Sequence, residues 1–158
     1  MSVLTEAMKQ RIREYFPRYP DKQAVTLPAL HLVQDEFRCV PLKAVEEIGE
    51  LLGLSAAEVF DTMSFYGFFR EEKEKLARKR LWVCRSLPCM LKGGESLLKE
   101  VCDKLGVHPG QNTSDGAITV EFAECIGACD AAPCVLVDDE IHERVTADQA
   151  IAAARGAS

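Results

Sequence analysis

The sequence predicts two architectures in one chain: a small helical bundle over residues 1–75, then an α/β domain over residues 76–158. Two observations divide it this way. Up to about residue 70, apolar residues recur at helical spacing between brief connections. From Leu81 onward, short alternating runs flank one longer amphipathic stretch. Residues 70–80 form a run of mixed charge, expected to be a solvated connector at the boundary between the halves.

The elements follow in order. Residues 8–15 make a short helix. Pro28 suits a first helical turn, and Leu30, Val33 and Phe37 then recur on one face. Pro41 and Gly53 bracket a helix with Val45, Ile48 and Leu52 inward. Ser55 followed by Glu58 reads as a capping box opening a helix toward Met63. In the second half, residues 81–83 form a strand that delivers Cys84. Residues 95–105 form a helix with Leu98, Val101, Cys102 and Leu105 on one face, stopped by Gly106. Residues 118–122 alternate as a half-buried strand leading to Cys125. Residues 134–137 and 141–145 are strands joined by an Asp138–Asp139 turn, and Thr146 with Gln149 caps a terminal helix. The order β-α-β-β-α fits a layer of helices on a sheet.

Composition narrows the function classes. The chain has 158 residues, 47% of them apolar and 28% charged, as in ordinary globular proteins. No apolar stretch approaches the ~20 residues that span a membrane, so direct insertion is not expected. A net charge of −6 argues against a general nucleic-acid binder. Seven cysteines is an odd number and no secretory signal is evident, which favours free thiols in a reducing cytoplasm.

Four of those cysteines carry the chemistry. Cys84 and Cys89 are spaced Cys-x4-Cys, and Cys125 and Cys129 are spaced Cys-x3-Cys. A [2Fe–2S] cluster takes four thiolates, two on each iron, so each short interval can hold one iron. Structural zinc usually shows Cys-x2-Cys knuckles, absent here, and leaves a zinc-stabilised adaptor as the second reading. Cys102 reads as a packing thiol, and Cys39, at a helix junction near Pro41, lies far outside both motifs. Cys134, five residues past Cys129, rivals it as a ligand, although its place at the head of an apolar run favours the core. His31, His108 and His142 show no ligand pairing. Gly127 would let the backbone approach the cluster sulfurs, and Gly93 and Gly94 would serve the turn into the next helix.

Residues 82–94, around Cys-Arg-Ser-Leu-Pro-Cys, and residues 124–133, around Cys-Ile-Gly-Ala-Cys, resemble the two motifs of the thioredoxin-like [2Fe–2S] ferredoxins. The likeness is to the branch that includes the E subunit of bacterial respiratory complex I (NADH:quinone oxidoreductase). Residues 27–37 and 60–66 resemble its helical N-terminal part, so the resemblance covers about residues 8–153. It implies a thioredoxin-like domain carrying one [2Fe–2S] cluster on Cys84, Cys89, Cys125 and Cys129, behind a docking bundle. It implies an electron-transfer role beside a partner subunit that binds FMN and NADH, on the cytoplasmic peripheral arm of a membrane-bound complex. Related subunits serve NAD-dependent formate dehydrogenases and NAD-linked or bifurcating hydrogenases, and these hosts stay open. With no Gly-x-Gly-x-x-Gly or Walker motif, the isolated chain is expected to lack NADH activity. Phe60, Phe65, Tyr66, Phe68 and Phe69 are expected as helix-packing core with some exposed members at an interface. Glu121, Glu124 and Asp130 are expected to weigh negatively on the cluster, offset in part by Arg85 and Lys92.

Overall fold

Four α-helices build the first of two units, Met1–Lys75 and Leu76–Ser158, in a computed structural model that describes residues 2–156. Helix α1 (Glu6–Arg13) starts at Thr5, whose hydroxyl accepts the Met8 N–H, and buries Met8 and Ile12. It lies two residues earlier than expected because this cap precedes the apolar face. Helix α2 (Thr26–Phe37) carries Pro28 in its first turn, where no N–H is needed, and buries Leu30 and Val33 completely. Helix α3 (Leu42–Leu52) runs from Pro41 to Gly53, whose φ of 76° terminates it. Val45, Ile48 and Leu52 all face the core. Helix α4 (Ala56–Phe65) opens with the complete Ser55–Glu58 capping box.

Two buried polar side chains hold the connections of this unit. Gln34 donates to the Phe68 carbonyl (2.8 Å) and accepts the Arg70 N–H (2.7 Å), fixing the segment after α4. Glu47 accepts the N–H groups of Val3 (2.9 Å) and Leu4 (2.8 Å) and the Ser2 hydroxyl (2.8 Å), fixing the segment before α1. Of the aromatic group, Phe69 is buried, Phe60, Tyr66 and Phe68 are partly buried, and Phe65 is exposed. His31 stacks on Phe68 with centroids 5.1 Å apart.

In the second unit the charged connector enters the sheet sooner than its composition suggests. After a 3₁₀ turn at Glu72–Glu74, strand β1 (Lys79–Cys84) begins two residues before Leu81. Lys79 and Arg80 pair there with Ile118 and Thr119 of β3 (Ile118–Ala123). The remaining elements are α5 (Leu87–Leu91), α6 (Gly94–Leu105), β2 (Gln111–Asn112), β4 (Cys134–Val137), β5 (Glu140–Glu143) and α7 (Ala147–Arg155). The five strands are ordered β2-β3-β1-β4-β5. Strand β1 runs parallel to β3 and antiparallel to β4. Leu81, Val83, Ile118, Val120 and Val135 form a core with Val101 of α6 and Ala150 of α7.

Strand β3 corrects one expectation. Ile118 to Glu121 are all buried, so the strand is covered on both faces instead of half-buried. Its alternate polar side chains are tolerated because they are bonded. Thr119 Oγ1 accepts the Ala77 N–H (2.7 Å) and donates to Asn112 (2.6 Å). Glu121 accepts from the Arg80 guanidinium and from Trp82 Nε1. The sheet thereby sets the end of β1 and the exit of β3 side by side, with Cys84 paired against Ala123.

Candidate metal centre

All seven cysteines are free thiols. Cys39 and Cys102 lie buried in separate places, in keeping with packing roles. The other five belong to one end of the sheet. Cys84 ends β1 and is 2% exposed. Its chain then enters the short helix α5. Pro88 at the start of α5 allows the turn to form without a missing bond, and Cys89 faces inward at 1% exposure. Cys125 and Cys129 lie on the loop after β3, both exposed, with sulfurs 4.0 Å apart. Gly127 between them has φ 87°, a left-handed conformation that turns the loop back on itself. The 3₁₀ turn Cys129–Ala131 packs against α5. The Cys84 thiol reaches the Glu124 carbonyl at 3.6 Å, joining the two motifs directly.

Cys134 is where sequence reasoning fell short. It is a buried thiol at the head of β4, as its apolar run suggested. In space it joins Cys84 and Cys89. The sulfurs of Cys84, Cys89 and Cys134 lie within 4.8 Å of one another, with Cys89 and Cys134 at 3.4 Å. The signal was present only in the register, since Val83 pairs with Val135 and the next step sets Cys84 opposite Cys134.

Electrostatics separate the five. Burial is the largest influence on Cys84 and opposes its ionisation. The N–H groups of Ser86 and Ile126 and the neighbouring thiols outweigh it, so its pKa falls below the ordinary thiol value. Burial pushes Cys89 up despite the Cys134 N–H directed at its sulfur. Cys129 is raised by its hydrogen bond to Cys125 and that neighbour's charge, with Cys84 and Cys89 adding to it. Burial pushes the Cys134 thiol up to about 12, reinforced by Cys89 and Cys84. Outside the sulfurs, exposed Glu124 pairs with Arg85, and Arg85 lies over the Phe122 ring at 3.7 Å.

The donor set suits an iron–sulfur cluster: more than four sulfurs, main-chain N–H groups aimed at two of them, and a left-handed glycine between two others. The family described as "Thioredoxin-like [2Fe-2S] ferredoxin" matches residues 12–157. The chain belongs to that family. Among its relatives, the E 2 subunit of NADH-quinone oxidoreductase of Rhizobium meliloti (strain 1021) is 36% identical over 140 residues, covering 89% of this chain and 82% of the relative. The E subunit of NADH-quinone oxidoreductase of Pseudomonas aeruginosa is 36% identical over 147 residues, covering 92% and 87%. Among solved structures, an NAD+-reducing [NiFe]-hydrogenase in the H2-reduced state aligns with TM-score 0.71 and 26% identity. The match covers 84% of this chain and 22% of the hydrogenase chain. No helix among the described residues is long and apolar enough to cross a membrane.

Proposed function

We propose that the chain is the electron-transfer subunit of an NADH:quinone oxidoreductase, holding one [2Fe–2S] cluster on Cys84, Cys89, Cys125 and Cys129. The observation that carries this is the meeting of the two cysteine motifs at one end of the sheet, Cys84 bonded to the Glu124 carbonyl that precedes Cys125. When bound, the cluster supplies one-electron storage at a fixed place. The chain's own residues do the rest. Cys84 and Cys89, carried by β1 and α5, would hold one iron, and Cys125 and Cys129, on a loop bent at Gly127, would hold the other. The N–H groups of Ser86, Ile126 and Cys134 offset negative charge on the sulfurs. Cys134 is left out of the ligand set because the short-interval pairs already supply four thiolates.

The electron source in this reading is FMN on a partner subunit that also binds NADH. The chain docks on that subunit at the peripheral arm, with the helical unit as its docking element. Alone it oxidises no NADH. The second reading, a diaphorase subunit of an NAD-linked hydrogenase or formate dehydrogenase, is supported by the hydrogenase structural match. The higher identity to the two NADH-quinone oxidoreductase relatives favours the first. Iron and sulfide analysis with EPR of the dithionite-reduced chain tests the core claim. A [2Fe–2S] signal should be lost or altered in the Ser variants of the four ligands and retained in Cys39→Ser and Cys102→Ser. Colourless protein with stoichiometric zinc refutes it. Co-purification with quinone-reactive membrane subunits, or with a hydrogenase or molybdenum subunit, decides the host.

A further inference from the structure

We infer that Cys84, Cys89 and Cys134 form a second, mutually exclusive metal site: a buried three-thiolate pocket for one soft cation of the Cu(I) type in the cluster-free chain. Three sulfurs sharing one ion at about 2.3 Å stand about 4 Å apart. Here all three lie within 4.8 Å of one another and the tightest pair is at 3.4 Å. All three thiols stand on regular elements. Cys84 and Cys134 sit on neighbouring antiparallel strands, and Cys89 on the helical turn between β1 and α6.

The donor chemistry selects the ion. The thiols are 1–2% exposed and packed by Ala128, Ile126 and Ala132, with the N–H groups of Ser86, Ile126 and Cys134 directed at two of the sulfurs. Zinc asks for a fourth ligand, commonly a water in an open site, whereas a soft monovalent ion is content with thiolates alone. Binding is an exchange without electron transfer: three S–H protons leave, three metal–sulfur bonds form, and the copper stays Cu(I). Because Cys84 and Cys89 also serve the proposed cluster, occupancy by the soft ion blocks cluster assembly. That clause alone rests on the reading above.

The test uses the full chain, cluster-free, reduced and anaerobic, titrated with Cu(I) against a competing chelator. The expected result is one Cu(I) per chain in the wild type and in the double variant C125S/C129S, which takes no cluster. Cys134→Val should weaken Cu(I) binding by more than about 100-fold, beyond what outer-shell changes cost. That variant should still assemble the brown [2Fe–2S] centre from iron and sulfide, which shows that it folds; Cys134→Ala serves as a second substitution. No Cu(I) binding by the wild type, equal binding by Cys134→Val and Cys134→Ala, or loss of binding in C125S/C129S overturns the proposal. Cu(I) binding by a wild type that assembles no [2Fe–2S] centre overturns the cluster reading and leaves this site standing.

Discussion

Trp82 and Glu121 are register partners on the parallel strands β1 and β3, and the indole Nε1 donates to the Glu121 carboxylate at 2.6 Å. The same carboxylate is paired with Arg80, whose guanidinium lies 4.2 Å from the Trp82 ring centroid. Glu121 is only 8% exposed, so this group of three replaces the water its charge has lost.

Removing the carboxylate takes away an acceptor shared by two half-buried donors. Glu121→Ala is expected to destabilise the second unit by about 3 kcal/mol, and Glu121→Gln by less because one acceptor remains. Trp82 is the single tryptophan of the chain, so its fluorescence in a denaturant titration reads this unit specifically. An unchanged midpoint for Glu121→Ala would mean that the pairing contributes nothing net.

The second unit should fold and take up its cluster without the first, provided the cut is placed correctly. The cut belongs before Ala77, because the Ala77 N–H bonds Thr119 Oγ1 and the Arg78 N–H bonds the Gly116 carbonyl at 3.2 Å. A chain beginning at Leu76 is expected to show the [2Fe–2S] EPR signal and to bind the proposed flavin-bearing partner more weakly than the full chain. One beginning at Lys79 should be less stable. Unchanged co-purification of the shorter chain with the partner would assign the helical unit another task.

Acid should loosen the first unit through Glu47. Burial works against its charge, but the N–H groups of Leu4 and Val3 and the Ser2 hydroxyl prevail, and its pKa is depressed. A depressed folded-state value means stability that is present above the unfolded value, about 4.3, and is lost as pH falls through the folded one. The protection of the Val3 and Leu4 amides, relative to their intrinsic exchange rates, should therefore fall below about pH 4. Glu47→Gln should show faster exchange already at neutral pH, at a cost of about 1–2 kcal/mol. Equal protection of both amides in the variant at neutral pH would remove Glu47 from this role.

What the sequence made legible was local. Capping at Ser55 and Thr146, termination at Gly53 and Gly106, and the two cysteine intervals are each decided within a few residues, and the structure contains all the caps. What it hid was long-range pairing. Residues 111–112 are two polar residues with no strand pattern, and they become β2 only because β3 offers an edge. The company of Cys134 depends on the β1–β4 register, which no spacing along the chain encodes. The partners of Glu121 depend likewise on the β1–β3 register.

That same register revises the argument about reduction potential. Glu121 and Glu124 looked like negative charges left to oppose reduction of the cluster, but each faces a cation, Arg80 and Arg85 respectively. The proposed ligand set, Cys84, Cys89, Cys125 and Cys129, then dominates. Four thiolates place two more negative charges on the core than a Rieske centre with two neutral histidines, so the midpoint should be low, on the order of −400 mV. The exposed Arg85–Glu124 pair offers a measured check on the charge argument. Glu124→Gln should raise the midpoint and Arg85→Ala should lower it. Each shift should be at most about 1 kcal/mol, or about 40 mV for one electron, because solvent screens both groups. EPR-monitored redox titration gives all three values. Shifts of the opposite sign would show that the pair does not act on the cluster as charge, and a positive midpoint in the wild type would mean that the ligand set, or this account of the surrounding charge, is wrong.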